Sequence, residues 1–159
     1  MPEQLSTDFV TLRHELDRFV DSMPRIVAEG LLEMGLVCEA EAKENVVQVD
    51  AIDTGNLLNS IYTHTHRGEG QPSLATGLAY SRRLGEQISV QEDIYAQVEE
   101  VPEDEMEVFV KVAANYGIYV EMGTTRMAAR AYLLPAFETT RLMLEKIMRA
   151  RLEASGWKL

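Results

Sequence analysis

The chain has 159 residues, of which 46% are hydrophobic and 26% charged, and its formal net charge is −11. This length fits a single domain, and the composition is that of a soluble globular protein. The acidic balance argues against a protein that grips nucleic acid, because such proteins gain affinity by neutralising phosphates with Lys and Arg.

Features of export or membrane insertion are missing from the sequence. No apolar run approaches the roughly 20 residues needed to span a bilayer. The start, residues 1–4, has neither the basic residues nor the apolar stretch of a signal peptide. The single cysteine, Cys38, cannot form an intramolecular disulfide and falls within a helical pattern, which predicts a buried, inert thiol. We therefore expect folding in the cytoplasm and no membrane partner.

A long helix is predicted over residues 7–47. Apolar residues recur there at mostly three- and four-residue steps: Leu12, Leu16, Phe19, Met23, Ile26, Val27, Leu31, Met34 and Val37. Ser6 or Thr7 would cap its start, and Pro24, which lacks the amide hydrogen, should kink or divide the helix. So small a chain cannot bury the whole stripe locally, so the helix must lie across a sheet or against another subunit.

The middle of the chain contains turns and short elements. Asp53 and Thr54 are candidate N-caps for a short helix at 56–60. The β-branched and aromatic residues of 61–66 favour a strand. Turn-forming residues fill 67–77, and short strands are expected at 88–90 and 95–98.

The clearest strand is 105–113, where apolar residues alternate with others. A short helix follows at 116–122, and Gly123 is placed to end it. The last helix, about 132–154, is predicted to have Leu133, Phe137, Leu144 and Ile147 on one side, with Pro135 tolerated in its first turn. The order predicts an α+β fold, in which a long N-terminal helix and a C-terminal helix pack on one face of a small antiparallel sheet.

Signatures of catalysis are missing: there is no phosphate-binding loop, paired cysteine motif or nucleophile elbow. His64 and His66 would point to the same face of a strand, which suits a metal, but no third ligand is marked. Two exposed strand histidines are the plainer interpretation. Glu121 lacks the second acid or base that catalysis needs. The sequence therefore predicts no enzyme, no cofactor and no metal site.

Acidic residues are concentrated between positions 92 and 107, which hold eight carboxylates and no Lys or Arg. They are Glu92, Asp93, Glu99, Glu100, Glu103, Asp104, Glu105 and Glu107. A solvated loop or strand face is one interpretation. The alternative is a surface that must repel an anionic molecule.

Two segments resemble motifs of the head–tail joining family, the neck and tail-completion proteins of long-tailed phages. Residues 53–61, Asp-Thr-Gly-Asn-Leu-Leu-Asn-Ser-Ile, are similar to its Asp-Thr-Gly-x-Leu-x-x-Ser-Ile motif. Residues 116–124, Tyr-Gly-Ile-Tyr-Val-Glu-Met-Gly-Thr, resemble its Tyr-Ala-x-Tyr-Val-Glu-Phe-Gly-Thr. Arg126-Met127 follows, and then residues 129–136 are similar to Ala-Arg-Pro-Phe-Leu-x-Pro-Ala. The departures are Gly117 for Ala, Met122 for Phe, Ala131-Tyr132 for Pro-Phe, and a longer stretch at 67–104.

The resemblance implies one neck or tail-completion domain over 1–159, with an insertion or extended loop at 67–104. It implies a homo-oligomeric ring, commonly a hexamer, that terminates or completes the tail in the virion and joins it to the connector. Tail-tube and connector proteins would be its partners, and DNA would pass through without specific binding. The matching motif or interface positions are Asp53, Thr54, Gly55, Leu57, Ser60, Tyr119, Glu121, Gly123, Thr124, Arg126, Arg130 and Pro135.

Particular roles follow for some positions. Thr54 and Gly55 should set the start of the short helix, and Glu121 should accept hydrogen bonds from Arg126, Arg130 or loop amides. Fold maintenance without an interface role is the alternative for all of them. Lumen-facing acids, which would discourage DNA adsorption, would be Glu99, Glu100, Glu103 and Asp104.

Three other functions compete with a tail-side ring. One is a capsid-side connector or stopper ring in the same particle. Another is a small metal-dependent enzyme that uses His64, His66 and an acidic residue. The third is an acidic regulatory protein that mimics nucleic acid and acts as a monomer or dimer on a basic partner.

Overall fold

The structure is a computed structural model that describes residues 2–51, 55–66, 77–81, 85–90 and 102–157. The elements in chain order are α1 (Pro2–Gln48), α2 (Asn56–Ser60), β1 (Ile61–Thr65), β2 (Gly77–Ser81), β3 (Glu86–Val90), β4 (Val108–Val112), α3 (Gly117–Met122), α4 (Leu133–Leu142) and α5 (Leu144–Ala154). The predicted α+β fold is confirmed, with a long N-terminal helix, C-terminal helices and a small antiparallel sheet.

The strands form two antiparallel pairs. β1 pairs with β4, with Thr63 opposite Val110, and β2 pairs with β3 inside the stretch predicted to be an insertion. The strand expected at 88–90 is part of β3, whereas 67–76 and 95–98 lie outside the described residues. β4 begins later than predicted because residues 103–107 form a turn, in which the amide of Glu107 donates to the carbonyl oxygen of Asp104 at 3.1 Å.

α1 is one helix that begins at Pro2, so the prediction of a cap at Ser6 or Thr7 is wrong. Of the two alternatives expected at Pro24, a kink or a division, the division does not occur. A proline inside a helix costs about 3 kcal/mol, because it removes a hydrogen bond and crowds the preceding turn. Packed residues lie on both sides of Pro24 in the sequence. Ile26 is buried on one side, and the rings of Phe19 and Trp157 meet edge to face on the other, with centroids 5.0 Å apart.

α4 and α5 run antiparallel along α1. The indole of Trp157 donates to Ser22 Oγ at 3.2 Å, Arg151 pairs with Glu33 at 2.7 Å, and the side chain of Asn45 donates to the carbonyl oxygen of Tyr132 at 3.0 Å. The chain direction of α4 and α5 is therefore opposite to that of α1.

The C-terminal helical segment differs from its prediction in two ways. It is divided at Met143 into α4 and α5, and two residues of its predicted apolar side, Phe137 and Leu144, are exposed. The buried positions of the two helices are Ala136, Thr140 and Ile147. Small side chains are buried in α4 because helices approach closely where side chains are short, so the largest apolar residue was a poor guide to the buried face.

The core lies between the C-terminal half of α1 and the elements packed against it. Its buried members are Cys38, Ala42, Val46, Leu57, Ile61, Ala114, Tyr132 and Ala136. Cys38 is buried as predicted, and burial raises the pKa of its thiol. Within the stripe predicted for α1, Leu12 and Leu16 are instead 53% and 54% exposed.

Gly35 brings the β1–β4 sheet directly onto α1. A Cβ at this position would lie 2.6 Å from both Thr63 Cγ2 and Val108 Cγ1, which is too close for carbon atoms. One turn later, a carboxylate oxygen of Glu39 accepts the backbone N–H of Thr63 at 2.8 Å, and the other pairs with Lys43. Burial raises the pKa of Glu39, but the bonds from Lys43 and Thr63 outweigh it, so the pKa lies below its ordinary range.

Candidate functional site

The segments that carry the two motifs meet in one part of the core. Leu57 and Ser60 of α2 are buried, and a Cβ built on Gly117 would lie 3.3 Å from Leu57 Cδ1. The same Cβ would lie 2.8 Å from the phenol oxygen of Tyr132, just before α4. Burial, with the nearby charges of Glu121 and Tyr116, raises the pKa of that phenol. Residues that are distant in the sequence are therefore packed as one unit.

Gly55 stands at the N-cap of α2 with φ of 82°, in the left-handed region where glycine carries no steric cost. Its carbonyl oxygen accepts the amide of Asn59 at 3.0 Å, and Ser60 Oγ donates to the carbonyl oxygen of Leu57 at 2.7 Å. Gly55 thus occupies the predicted start of the helix. Asp53 and Thr54 lie outside the described residues.

Glu121 joins α3 to the start of α4. Its Oε2 accepts the backbone N–H groups of Tyr132 and Leu133 at 2.8 and 2.9 Å, and its Oε1 accepts that of Leu134 at 2.9 Å. The first amides of a helix have no partner within the helix and carry its positive dipole end, so a carboxylate is well suited to them. Of the two kinds of donor predicted for Glu121, the described bonds come from amides and not from Arg126 or Arg130.

The loop between α3 and α4 is held at several points. Gly123 ends α3 with φ of 76°, as predicted, and a Cβ there would lie 2.6 Å from the amide nitrogen of Ala129. The amide of Thr124 donates to the carbonyl oxygen of Met127 at 2.8 Å, and Thr124 Oγ1 accepts the amide of Arg126 at 3.2 Å.

Arg130 ties the end of this loop to two other parts of the chain. Its amide donates to the carbonyl oxygen of Val120 at 2.8 Å, and its Nη1 donates to that of Asp50 at 2.7 Å. The loop is therefore an ordered connection that presents Thr124 and Arg126 to solvent, since both residues are exposed.

Two exposed apolar surfaces accompany these motifs. The first, called the α3–α4 patch, consists of side chains that are between 56% and 75% exposed: Ile118, Tyr119, Met122, Leu134 and Phe137. Pro135 is exposed beside it, within the first turn of α4. The bonds of Glu121 to the start of α4 place the helical parts of this patch next to each other. Predicted motif residues are thus divided between the core and the surface.

The second surface, called the arm, is residues 9–20 of α1. Its apolar side chains are between 53% and 75% exposed: Phe9, Val10, Leu12, Leu16 and Val20. The sequence pattern predicted part of this stripe and its need for a neighbour, but it missed Phe9, three residues before Leu12 at the same helical spacing. Large exposed apolar patches in soluble proteins mark sites of interaction.

The two histidines have different neighbours among the described residues. His66 Nδ1 lies 3.2 Å from the carbonyl oxygen of Pro102, and the ring of His64 meets that of Tyr62 edge to face. Within the described ranges, no group of three or more His, Cys, Asp or Glu could hold a metal ion. His66 also borders an open groove of about 280 Å³ between α1 and the sheet, where Arg25 and Glu29 pair at 2.8 Å.

The described acids of the 92–107 stretch lie in the turn before β4. Glu103 and Asp104 are exposed, and Asp104 Oδ1 accepts the amide of Met106 at 3.1 Å. Glu99 and Glu100 lie outside the described residues. The turn thus presents negative charge to solvent, whichever way it faces in an assembly.

Comparison with family models, curated proteins and solved structures gave no match to this chain. Among the described helices, none is long and apolar enough to cross a membrane.

Proposed function

We propose that this chain is a non-enzymatic structural subunit of a long-tailed phage, which assembles as a ring at the head–tail junction. The ring terminates or completes the tail and joins it to the connector, and DNA passes through it without specific binding. The starting point is the resemblance of residues 53–61 and 116–136 to motifs of the head–tail joining family.

The observation that carries the proposal is the pairing of two departures from that family's motifs. The family has Ala where this chain has Gly117, and Phe where it has Tyr132. A Cβ on Gly117 would fall 2.8 Å from the phenol oxygen of Tyr132, an atom that phenylalanine lacks. Loss of a methyl group at one position thus accompanies gain of a hydroxyl at the other, in the same small volume. Two departures that compensate in space support a shared local structure.

The Glu-x-Gly-Thr part of the second motif also has a physical reason for its residue types. Glu121 accepts three backbone amides, and Gly123 has a positive φ and no room for a Cβ. Other side chains at these positions would lose the amide partners or clash with Ala129. These structural requirements support the resemblance to the family more strongly than sequence similarity alone does.

Assembly is favoured by the exposed apolar surfaces. The arm and the α3–α4 patch are two different surfaces of one chain, and contacts between different surfaces generate rings when the rotation closes. No step of this function needs a nucleophile, a metal or a cofactor, since the ring acts by shape and contact.

The experiment is light scattering of the purified chain over a concentration series, with electron microscopy of any large species. We expect masses at multiples of the 17.9 kDa chain and rings with an open centre. Binding to isolated tail tubes and to connectors would then separate the tail side from the capsid side. A protein that forms no ring alone and binds neither structure would contradict the proposed function.

A further inference from the structure

We infer that the arm of one copy docks on the α3–α4 patch of a second copy, and that this contact repeats between subunits. The inference rests on the proposed function, because it identifies the interface from which that ring would be built. The occupant of each surface is therefore another copy of this chain.

The length of α1 supports a projecting arm. A helix of 47 residues is about 70 Å long at 1.5 Å per residue. A compact domain of 159 residues has a radius of gyration of about 15 Å and hence a diameter of about 40 Å. α1 is therefore longer than the diameter of such a domain by about 30 Å, which corresponds to roughly 20 residues of helix.

Packing locates the projecting part at the N-terminal end. Trp157, the last described residue, packs against Phe19 and bonds to Ser22. Residues 9–18 continue beyond that contact, and all of them are exposed. The arm thus lies past the described part of the antiparallel partner helices.

The apolar residues of the arm are spaced for packing on another helix. Phe9, Leu12 and Leu16 are separated by three and four residues, the spacing of a helix seam, which continues at Phe19, where Trp157 of the same chain covers it. The α3–α4 patch offers matching helical pairs, with Ile118 and Met122 four apart on α3 and Leu134 and Phe137 three apart on α4.

Charge favours the arm–patch pairing over an arm–arm pairing. The N-terminal segment 1–21, which contains the arm, holds five acids and two Arg, although residues 9–20 themselves hold two of each; residues 122–137 hold Arg126 and Arg130 and no acid. Copies of a chain with a net charge of −11 repel one another, except where a basic segment faces an acidic one. Two copies of segment 1–21 side by side would instead bring two net negative segments together.

The small size of the contact predicts that one arm binds one patch weakly and that the ring closes cooperatively. A 12-residue helix is about 18 Å long and about 10 Å wide, so a docked arm buries roughly several hundred Å² per partner. Stable pairs usually bury about 800 Å² per partner. Each subunit of a closed ring makes the contact twice, once with its arm and once with its patch, which stabilises the ring over isolated pairs.

The test uses two charge-introducing variants, Leu16→Glu on the arm and Phe137→Glu on the patch. Both side chains are more than half exposed, so the fold should survive, and thermal unfolding checks this. The matched control is Leu36→Glu, since Leu36 lies on the same helix and is 53% exposed against 54% for Leu16. Light scattering measures the mass of each variant and of the equimolar mixture.

We expect each of the first two variants to remain at 17.9 kDa at concentrations where the wild type and Leu36→Glu assemble. Because a single contact is weaker than a closed ring, their mixture is measured up to higher concentrations, where it should give a species of twice that mass and nothing larger, while each variant alone stays at the mass of one chain. The intact arm of the Phe137→Glu chain can dock on the intact patch of the Leu16→Glu chain, while the other two surfaces are blocked. Arm–arm pairing would give no such rescue.

Several outcomes would overturn the inference. They are normal assembly of either variant, an equal loss in Leu36→Glu, a mixture that stays at the mass of one chain, and a wild type that never self-associates. Rings that form in all variants would remove this interface and leave the proposed function standing. A mixed pair from a protein whose wild type neither closes rings nor binds tail tubes or connectors would support the interface and contradict the proposed function.

Discussion

The phenol oxygen of Tyr132 lies 2.8 Å from the position that a Cβ of residue 117 would occupy, so Gly117 and Tyr132 share one small volume. We predict that Gly117→Ala destabilises the fold by about 1–3 kcal/mol through overpacking. In the double variant Gly117→Ala/Tyr132→Phe the added methyl takes the space of the lost hydroxyl, and at least about 1 kcal/mol should return. Urea unfolding of the wild type, both single variants and the double variant measures this coupling.

The rescue should be partial, because Val112 Cγ1 would also lie 2.8 Å from the new methyl. Strictly additive effects of the two changes would show that the volumes are independent. The two motif departures, Gly117 and Tyr132, would then not compensate each other in space.

Glu121 should stabilise the fold of the single chain, independently of any role in assembly. Glu121→Ala removes the acceptor of three amides at the start of α4, and we expect a loss of about 2 kcal/mol in the free energy of unfolding. Glu121→Gln keeps one carbonyl acceptor and should lose about half as much. Glu138→Ala, at an exposed position of α4, is the control and should change stability by less than about 0.5 kcal/mol.

A different result would reassign Glu121. If Glu121→Ala unfolded at the same urea concentration as the wild type but failed to assemble, the carboxylate would act at the subunit interface. The amide bonds within the chain would then be of little energetic consequence.

Much of the fold could be predicted because its signals are local. The alternation of Val108, Val110 and Val112 marked β4, and Gly123 marked the end of α3. Burial was harder to predict, since it depends on what lies opposite each residue. Phe137 lies on the predicted apolar side of the last helix and is nevertheless exposed, whereas Ala136 and Thr140 are buried where helices approach closely.

The candidate site likewise combines features that the sequence predicts with features that depend on tertiary structure. Glu121 was singled out from the sequence, but its amide partners are set by where α4 begins, which is a tertiary relation. The bond from Arg130 to the carbonyl oxygen of Asp50 spans 80 positions and has no signal in the sequence. The arm was foreseen only as a stripe too long to be buried within one subunit.

Two glycines of α1 should respond differently to alanine. Alanine is favoured over glycine in a helix interior by about 1 kcal/mol. At Gly35 the new Cβ meets Thr63 and Val108 of the packed sheet at 2.6 Å, and we expect a net loss of about 1–3 kcal/mol. At Gly30 it meets the flexible end of Met148, also at 2.6 Å, so the change should be close to neutral.

Urea unfolding of both variants against the wild type decides this point. Equal effects at the two positions would indicate that the sheet moves away from α1 as easily as the methionine side chain does. The tight contact at Gly35 would then not be what sets the position of the sheet.

Glu39 should make stability depend on pH in the acid range. Its folded-state pKa lies below the ordinary range, so its contribution is fully present above about 4.3, the unfolded value. It is lost as the pH falls through the lower folded-state value. We expect Glu39→Gln to cost about 1–2 kcal/mol at neutral pH and progressively less as the pH falls toward about 3.

The free energy of unfolding of the wild type and of Glu39→Gln, measured by urea across this range, checks the sign. Parallel pH profiles would mean that the carboxylate gains nothing from Lys43 and Thr63 on folding. A gap that widened at low pH would reverse the assigned direction.

The acidic turn before β4 tests whether negative charge faces the path of DNA. Glu103 and Asp104 are exposed there, and their charge would repel a DNA strand threading the proposed ring. We predict that Glu103→Lys/Asp104→Lys rings retain more DNA than wild-type rings, with binding that weakens as salt is raised. The control Glu138→Lys/Glu153→Lys makes the same change in net charge on exposed positions of α4 and α5. Filter retention of labelled duplex by rings of equal mass measures the difference, and equal retention by the two variants would remove the acidic turn from the lumen.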